Sequence, residues 1–163
     1  MARTYVGFYQ VGTLNGSPPA VKNFDLKGAT AFYEGAVLRL NSSGSAVKAA
    51  AGIMQLLGVA GANVTSSAST TKMPVFLADN NNVFEAKMLG TGAPKGRYFS
   101  SVRYRVGTTH NFRLEGTEGT VGTCQCRVVG AHPDDLSGTA TGKRYRIVFN
   151  QKTSLLGDAR DTE

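Results

Sequence analysis

Cysteine is nearly absent from this chain, helix-favouring glutamate and lysine are thin, and no long apolar run occurs. Each shortage excludes something. The only cysteines, Cys124 and Cys126, stand too close in sequence to build a disulfide framework. No stretch approaches the roughly 20 apolar residues of a membrane span, and Met1-Ala2-Arg3-Thr4-Tyr5 leads into nothing resembling a secretory signal. The expectation is a chain made and kept in a reducing cytosol, with no membrane partner. Charged residues make up only 18%, while Gly reaches 20 residues. That mixture suits short strands joined by many turns, because Gly supplies the positive φ angles that tight turns need.

What is present allows one domain with a hydrophobic core: 163 residues, 41% of them hydrophobic. Lys and Arg number 18 against 11 Asp and Glu, a formal charge of +7. Such a surplus biases encounters toward acidic partners, nucleic acid or an acidic protein shell, without choosing between them.

Three segments follow from the pattern. Residues 1–30 lack steady periodicity, carry the sticky Tyr5, Phe8, Tyr9 and Val11, and break at Asn15-Gly16-Ser17-Pro18-Pro19, since proline cannot donate to a ladder. This reads as an extended arm with room for one strand, and much of the burial of its aromatics is expected against a neighbouring subunit. Residues 31–152 form the body, and 153–163 read as a solvated tail.

In the body, strands are expected at Ala36–Leu40, Gln55–Ala60, Met73–Ala78, Val83–Leu89, Tyr98–Val106, His110–Glu115, Cys124–Val129 and Lys143–Asn150. Pro74 points to an edge or a strand start. Turns are expected at Asn41-Ser42-Ser43-Gly44 and Asp79-Asn80-Asn81-Asn82, because Asn and Asp bond their own backbone. Ala49–Met54 carries the one helical hint. Period-two alternation sets Phe84, Ala86 and Met88 against Glu85 and Lys87, and Tyr145, Ile147 and Phe149 against Arg144 and Arg146. Such patterning marks antiparallel strands with one buried and one solvated face. The fold class is therefore all-β: a single small β-barrel or β-sandwich-like body, with closure preferred because it removes edges.

No catalytic, cofactor or metal site emerges. Zinc wants four ligands, and only His110 and His132 could join Cys124 and Cys126, so the thiols read as small core hydrophobes. Gly90-Thr91-Gly92-Ala93-Pro94-Lys95-Gly96 has neither the third glycine of a dinucleotide loop nor the Lys-Ser/Thr of a P-loop. His132-Pro133-Asp134-Asp135 places a base beside carboxylates, but in a polar, Gly-flanked loop that reads as a solvated turn. The Asn15, Asn41 and Asn63 glycosylation triplets are chance matches without a secretory signal.

The arginines carry more. Arg103, Arg105, Arg113, Arg127, Arg144 and Arg146 all fall on outward strand faces. A solvated face is one reading. Docking on an acidic surface is another, since the guanidinium fork pairs carboxylates in bidentate fashion. A nucleic-acid module is the third, disfavoured because the strand aromatics sit mainly on the opposite face and cannot offer stacking.

Tyr33-Glu34-Gly35-Ala36-Val37-Leu38-Arg39-Leu40 through Leu57-Gly58-Val59-Ala60, then a polar loop, Met73-Pro74-Val75-Phe76-Leu77-Ala78-Asp79 and Asn82-Val83-Phe84-Glu85-Ala86, resembles the capsid decoration (head-stabilising, or cement) proteins of tailed bacteriophages. Arg144-Tyr145-Arg146-Ile147-Val148-Phe149-Asn150 adds an echo. The resemblance implies a barrel-like body with an extended arm, a homotrimer on the capsid exterior, and the major capsid protein as partner. It transfers no site residues by position, because the family shares no site motif. The alternatives are a basic β-barrel nucleic-acid-binding module, or another phage structural subunit of tail or connector.

Overall fold

The computed structural model describes residues 7–27, 31–50, 53, 55–64, 71–89, 101–106, 112–118, 124–132 and 143–150, with backbone alone at 88–89, 101–106 and 112–118 apart from Leu114. Strands are β1 (Tyr9–Thr13), β2 (Val21–Asp25), β3 (Val37–Leu40), β4 (Ala46–Lys48), β5 (Gly58–Ala60), β6 (Lys72–Leu77), β7 (Asn82–Leu89), β8 (Ser101–Val106), β9 (Phe112–Glu118), β10 (Cys126–Ala131) and β11 (Arg144–Phe149). The protein is all-β, with no helix among the described residues. At the expected helical turn, Ile53 N–H donates to the Ala50 carbonyl at 3.3 Å, closing a turn. Residues 51, 52 and 54 lie outside the described residues.

The strands form two sheets, ordered β1-β7-β11-β10-β8-β9 and β2-β6-β5-β3-β4. Pairing is antiparallel except where β9 runs parallel to the end of β7, at Met88↔Leu114 and Leu89↔Glu115. In the second sheet, an isolated parallel bridge, Leu26↔Ala46, brings the end of β2 beside β4.

The N-terminal segment is not a detached arm but part of both sheets. β1 pairs β7 and β2 pairs β6, so residues 9–13 and 21–25 are strands of the two sheets. Phe8 is fully buried, its ring 5.9 Å from that of Phe149, which in turn meets Phe84 edge-on at 5.2 Å. Its burial is thus within its own chain. Phe8 N–H donates to the Gly35 carbonyl at 2.9 Å, and a side chain at Gly7 would collide with the Gly35 backbone. Gly35 itself holds φ near 87°, where glycine is strain-free.

The β1–β2 and β6–β7 connections run side by side as the chain passes between sheets. The Asp79 carboxylate accepts from Asn81 N–H at 3.1 Å and Asn82 N–H at 2.6 Å, the expected Asx turn. Asn41 makes the same device, accepting from Ser43 and Ser45 N–H groups. Asn81 then reaches the other connection, accepting from Leu14 N–H at its carbonyl and from Asn15 N–H at Oδ1.

Pro74 does not mark an edge: β6 lies between β2 and β5, with Pro74 its third residue. Its carbonyl accepts from Gly61 N–H at 2.8 Å, so the proline nitrogen also faces the β5 side, just past the last residue of β5. No ladder bond to β2 is lost, because Asn23↔Pro74 is a pair whose polar groups point apart.

One buried apolar cluster draws on both sheets, including Val37, Leu38, Met73 and Val75 from one and Phe84, Leu114, Cys126, Val128, Ile147 and Phe149 from the other, with Leu26 and Phe32 added from isolated bridges. Phe84 and Ala86 point inward as the alternation predicts, as do Ile147 and Phe149.

Candidate functional site

Directly opposed residues in neighbouring strands share a face. Across β1, β7, β11 and β10, one such row reads Tyr9, Glu85, Arg146, Gly130. The next row, Phe84 with Ile147 and Ile147 with Val128, faces the core. The Glu85 row therefore lies on the outer side of the sheet.

That outer side is not the simple solvated face that alternation suggests. Glu85 is only 2% exposed, and Val83 and Val148 are buried as well. A buried carboxylate must be compensated. Glu85 has three cationic or potentially cationic neighbours: Arg144 Nη1 at 4.0 Å, Arg146 Nε at 3.9 Å and His132 Nε2 at 3.7 Å. These separations exceed the ~2.8 Å of charge-assisted hydrogen bonds, so the attraction is coulombic.

Local structure explains the assembly. Arg144 and Arg146 alternate along β11 with Tyr145 and Ile147, which puts both guanidinium groups on the outer side beside Glu85. His132 N–H donates to the Arg144 carbonyl at 3.0 Å, extending the β10–β11 ladder beyond the end of β10. The imidazole is thereby carried onto this face, so His132 sits beside a buried acid and not in a solvated turn. Asp134 and Asp135 lie outside the described residues. Arg127, half-buried between the buried Cys126 and Val128, continues the cationic side on β10, and Lys87 continues it on β7 opposite Arg144.

β10 also contains a bulge. Its register with β11 shifts between Val128 and Gly130, leaving Gly130 opposite Arg146. A Cβ at Gly130 would meet no atom within 4 Å. The outer face thus has an open notch beside Arg146.

Of the other expected contact residues, Tyr9 is buried beside Glu85 on β1, and Tyr5 lies outside the described residues. Arg103 and Arg105 belong to β8 and Arg113 to β9, with Arg105 opposite Arg113 in register. Among the described residues of the N-terminal region, the exposed large apolar side chains are Val11, Leu14 and Val21 instead of the aromatics. Val11 protrudes because it is the extra residue of a bulge between Gln10 and Gly12.

Cys124 and Cys126 are fully buried, and Val128 lies on the same side of the chain. Burial pushes the Cys126 thiol well above its ordinary value, and repulsion from Cys124 adds to the effect. No group of three or more potential metal ligands occurs among the described residues, and His110 lies outside them. Sequence reasoning missed Glu85 as the centre of the cationic face. Its signal was an acid among strands bearing alternate arginines, but which arginines it meets depends on register.

The chain matches no protein-family model and no curated protein.

Proposed function

We propose that this chain is a non-catalytic structural protein that docks on an acidic protein surface through the outer face of β7, β11 and β10. In keeping with its resemblance to capsid decoration proteins, the surface is the exterior of a phage head. There the chain, made in the host cytoplasm, bridges neighbouring major capsid subunits as a homotrimer.

The observation that carries this reading is the gathering of basic side chains on that face. Lys87, Arg127, Arg144 and Arg146 gather on the outer side of three adjacent strands, where the buried acid is Glu85. In a chain with a formal charge of +7, such a gathering biases encounters toward an acidic surface. A protein partner is favoured over single-stranded nucleic acid because Tyr9, the aromatic in the Glu85 row, is buried and offers no stacking platform. The finer reading of the body as one barrel-like or sandwich-like unit is supported by the single buried apolar cluster to which both sheets contribute.

Docking across joints between capsid subunits would stabilise the assembled lattice by mass action, since the ligand binds the assembled form. Several copies around one axis would multiply modest contacts through effective concentration.

Co-sedimentation with purified phage heads, run beside binding to random DNA, tests the proposal. The chain should sediment with heads at physiological salt, while its DNA affinity stays no tighter than roughly 10⁻⁴–10⁻⁶ M. Sub-micromolar affinity for random single strands, without binding to heads, would replace it with the nucleic-acid module.

A further inference from the structure

Gly130 and Arg146 face each other across β10 and β11, and the structure assigns the notch between them to a carboxylate side chain, Asp or Glu, of the docking partner. This assignment rests on the docking role proposed above and gives that role a specific point of contact.

Two observations converge on the notch. First, it is open: at Gly130 the strand carries no side chain, and an added Cβ would touch nothing within 4 Å. No side chain at position 130 therefore covers the Arg146 guanidinium on the β10 side. Second, Arg146 has capacity to spare. Its side chain is 42% exposed, and its interaction among the described residues is the ion pair from Nε to Glu85. That Nε is itself buried without a hydrogen-bond partner.

Glu85 lies opposite Arg146 on β7 and attracts the guanidinium at Nε, its inner nitrogen, while the side chain as a whole stays 42% exposed. A planar fork held from behind is pre-organised to receive two oxygens in front. Arg144 and His132 crowd the same internal acid, so Glu85 is shared and leaves Arg146 incompletely neutralised. The notch is left by the one side chain that Gly130 lacks. It admits the end of an Asp or Glu and is too local to track a polyphosphate backbone. Glu85 is here a positioning residue, and Arg146 makes the contact.

Titration with poly-L-glutamate at physiological salt, in parallel with single-stranded DNA of matched charge, tests the assignment. Gly130→Glu places a carboxylate in the notch from within and should lower affinity for poly-L-glutamate at least tenfold. Gly130→Ala should stay within twofold of wild type, because its methyl group meets nothing. Arg146→Lys keeps the charge but loses the fork, and should cost at least fivefold. Lys72→Gln, in the other sheet and 67% exposed, makes the same unit change in net charge as Gly130→Glu and serves as the control. It should stay within twofold.

If Gly130→Glu is no worse than Lys72→Gln, or Arg146→Lys binds like wild type, the notch assignment falls while the docking face stands. If wild type does not bind poly-L-glutamate at all, both fall. Tighter binding to DNA than to poly-L-glutamate, lost equally in the Arg146 variant, also overturns the assignment. Should Gly130→Glu fail to fold, as judged by its thermal transition, Arg146→Lys decides the matter alone.

Discussion

Asn82 and Ala20 are joined by two side-chain hydrogen bonds: Asn82 Nδ2 donates to the Ala20 carbonyl at 3.0 Å, and Asn82 Oδ1 accepts from Ala20 N–H at 3.2 Å. The amide imitates a strand partner at the point where both chain connections leave their sheets. A further donation from Nδ2 reaches the Leu77 carbonyl at 3.0 Å, and the residue is fully buried. Asn82→Ala should therefore deprive the part-buried Ala20 N–H and Leu77 carbonyl of this partner and cost about 1–3 kcal/mol in urea unfolding. Asn82→Asp, which keeps the acceptor and loses the donors, should also destabilise. A loss below about 0.5 kcal/mol for the Ala variant would mean that this corner is not held by the side chain.

The N-terminal segment gives a second prediction. Removing residues 2–17 deletes β1 and the buried Phe8, and should yield an unfolded or aggregating chain. Phe8→Ala alone should cost about 3–5 kcal/mol. Leu14→Ser, at a side chain 53% exposed, should change stability by no more than about 0.5 kcal/mol. A truncated protein with unchanged β-sheet circular dichroism and thermal transition would restore the detachable arm.

These residues also show what the sequence could and could not reveal. Long alternating segments such as Val83–Leu89 and Lys143–Asn150 were legible because period-two burial is written locally. The strands β1, β2 and β4 were not. β1 is short, with a bulge at Val11 that breaks its alternation, β2 is almost wholly exposed, and β4 has three residues. The cationic side of β11 was legible, but Glu85 was read as solvated. Its burial is created by arginines and a histidine that arrive from β11 and beyond the end of β10. Only register reveals such a meeting.

The internal acid yields a third prediction. Glu85→Gln removes the negative charge beside Arg144 and Arg146, which are only partly exposed. The expected loss is about 1–2 kcal/mol, below the range for a fully buried pair because solvent screens the arginines. Added salt should narrow the gap between variant and wild type in urea unfolding. An unchanged midpoint at low salt would show that Glu85 contributes nothing to the stability of the face.

The buried thiols supply a fourth. Cys126 has its folded-state value raised, so its contribution is fully present below the unfolded value of about 8.5 and is lost as pH rises toward the folded one. Wild-type stability should consequently fall above about pH 8.5 with a component approaching 1.4 kcal/mol per pH unit. Cys126→Ala should start lower, through lost packing, but lack that component. Parallel pH profiles for the two proteins between pH 7 and 10 would show that the thiol is not the titrating group.

The central claim, that the outer face of β7, β11 and β10 docks on a capsid, is tested most directly by imaging. Phage heads assembled without this chain would be mixed with purified wild type or Arg146→Glu and examined by negative-stain electron microscopy. The account predicts regularly spaced density on the outside of the heads with wild type, and bare heads with a folded Arg146→Glu variant. Heads that stay bare with wild type, or that are decorated equally by both proteins, would contradict it.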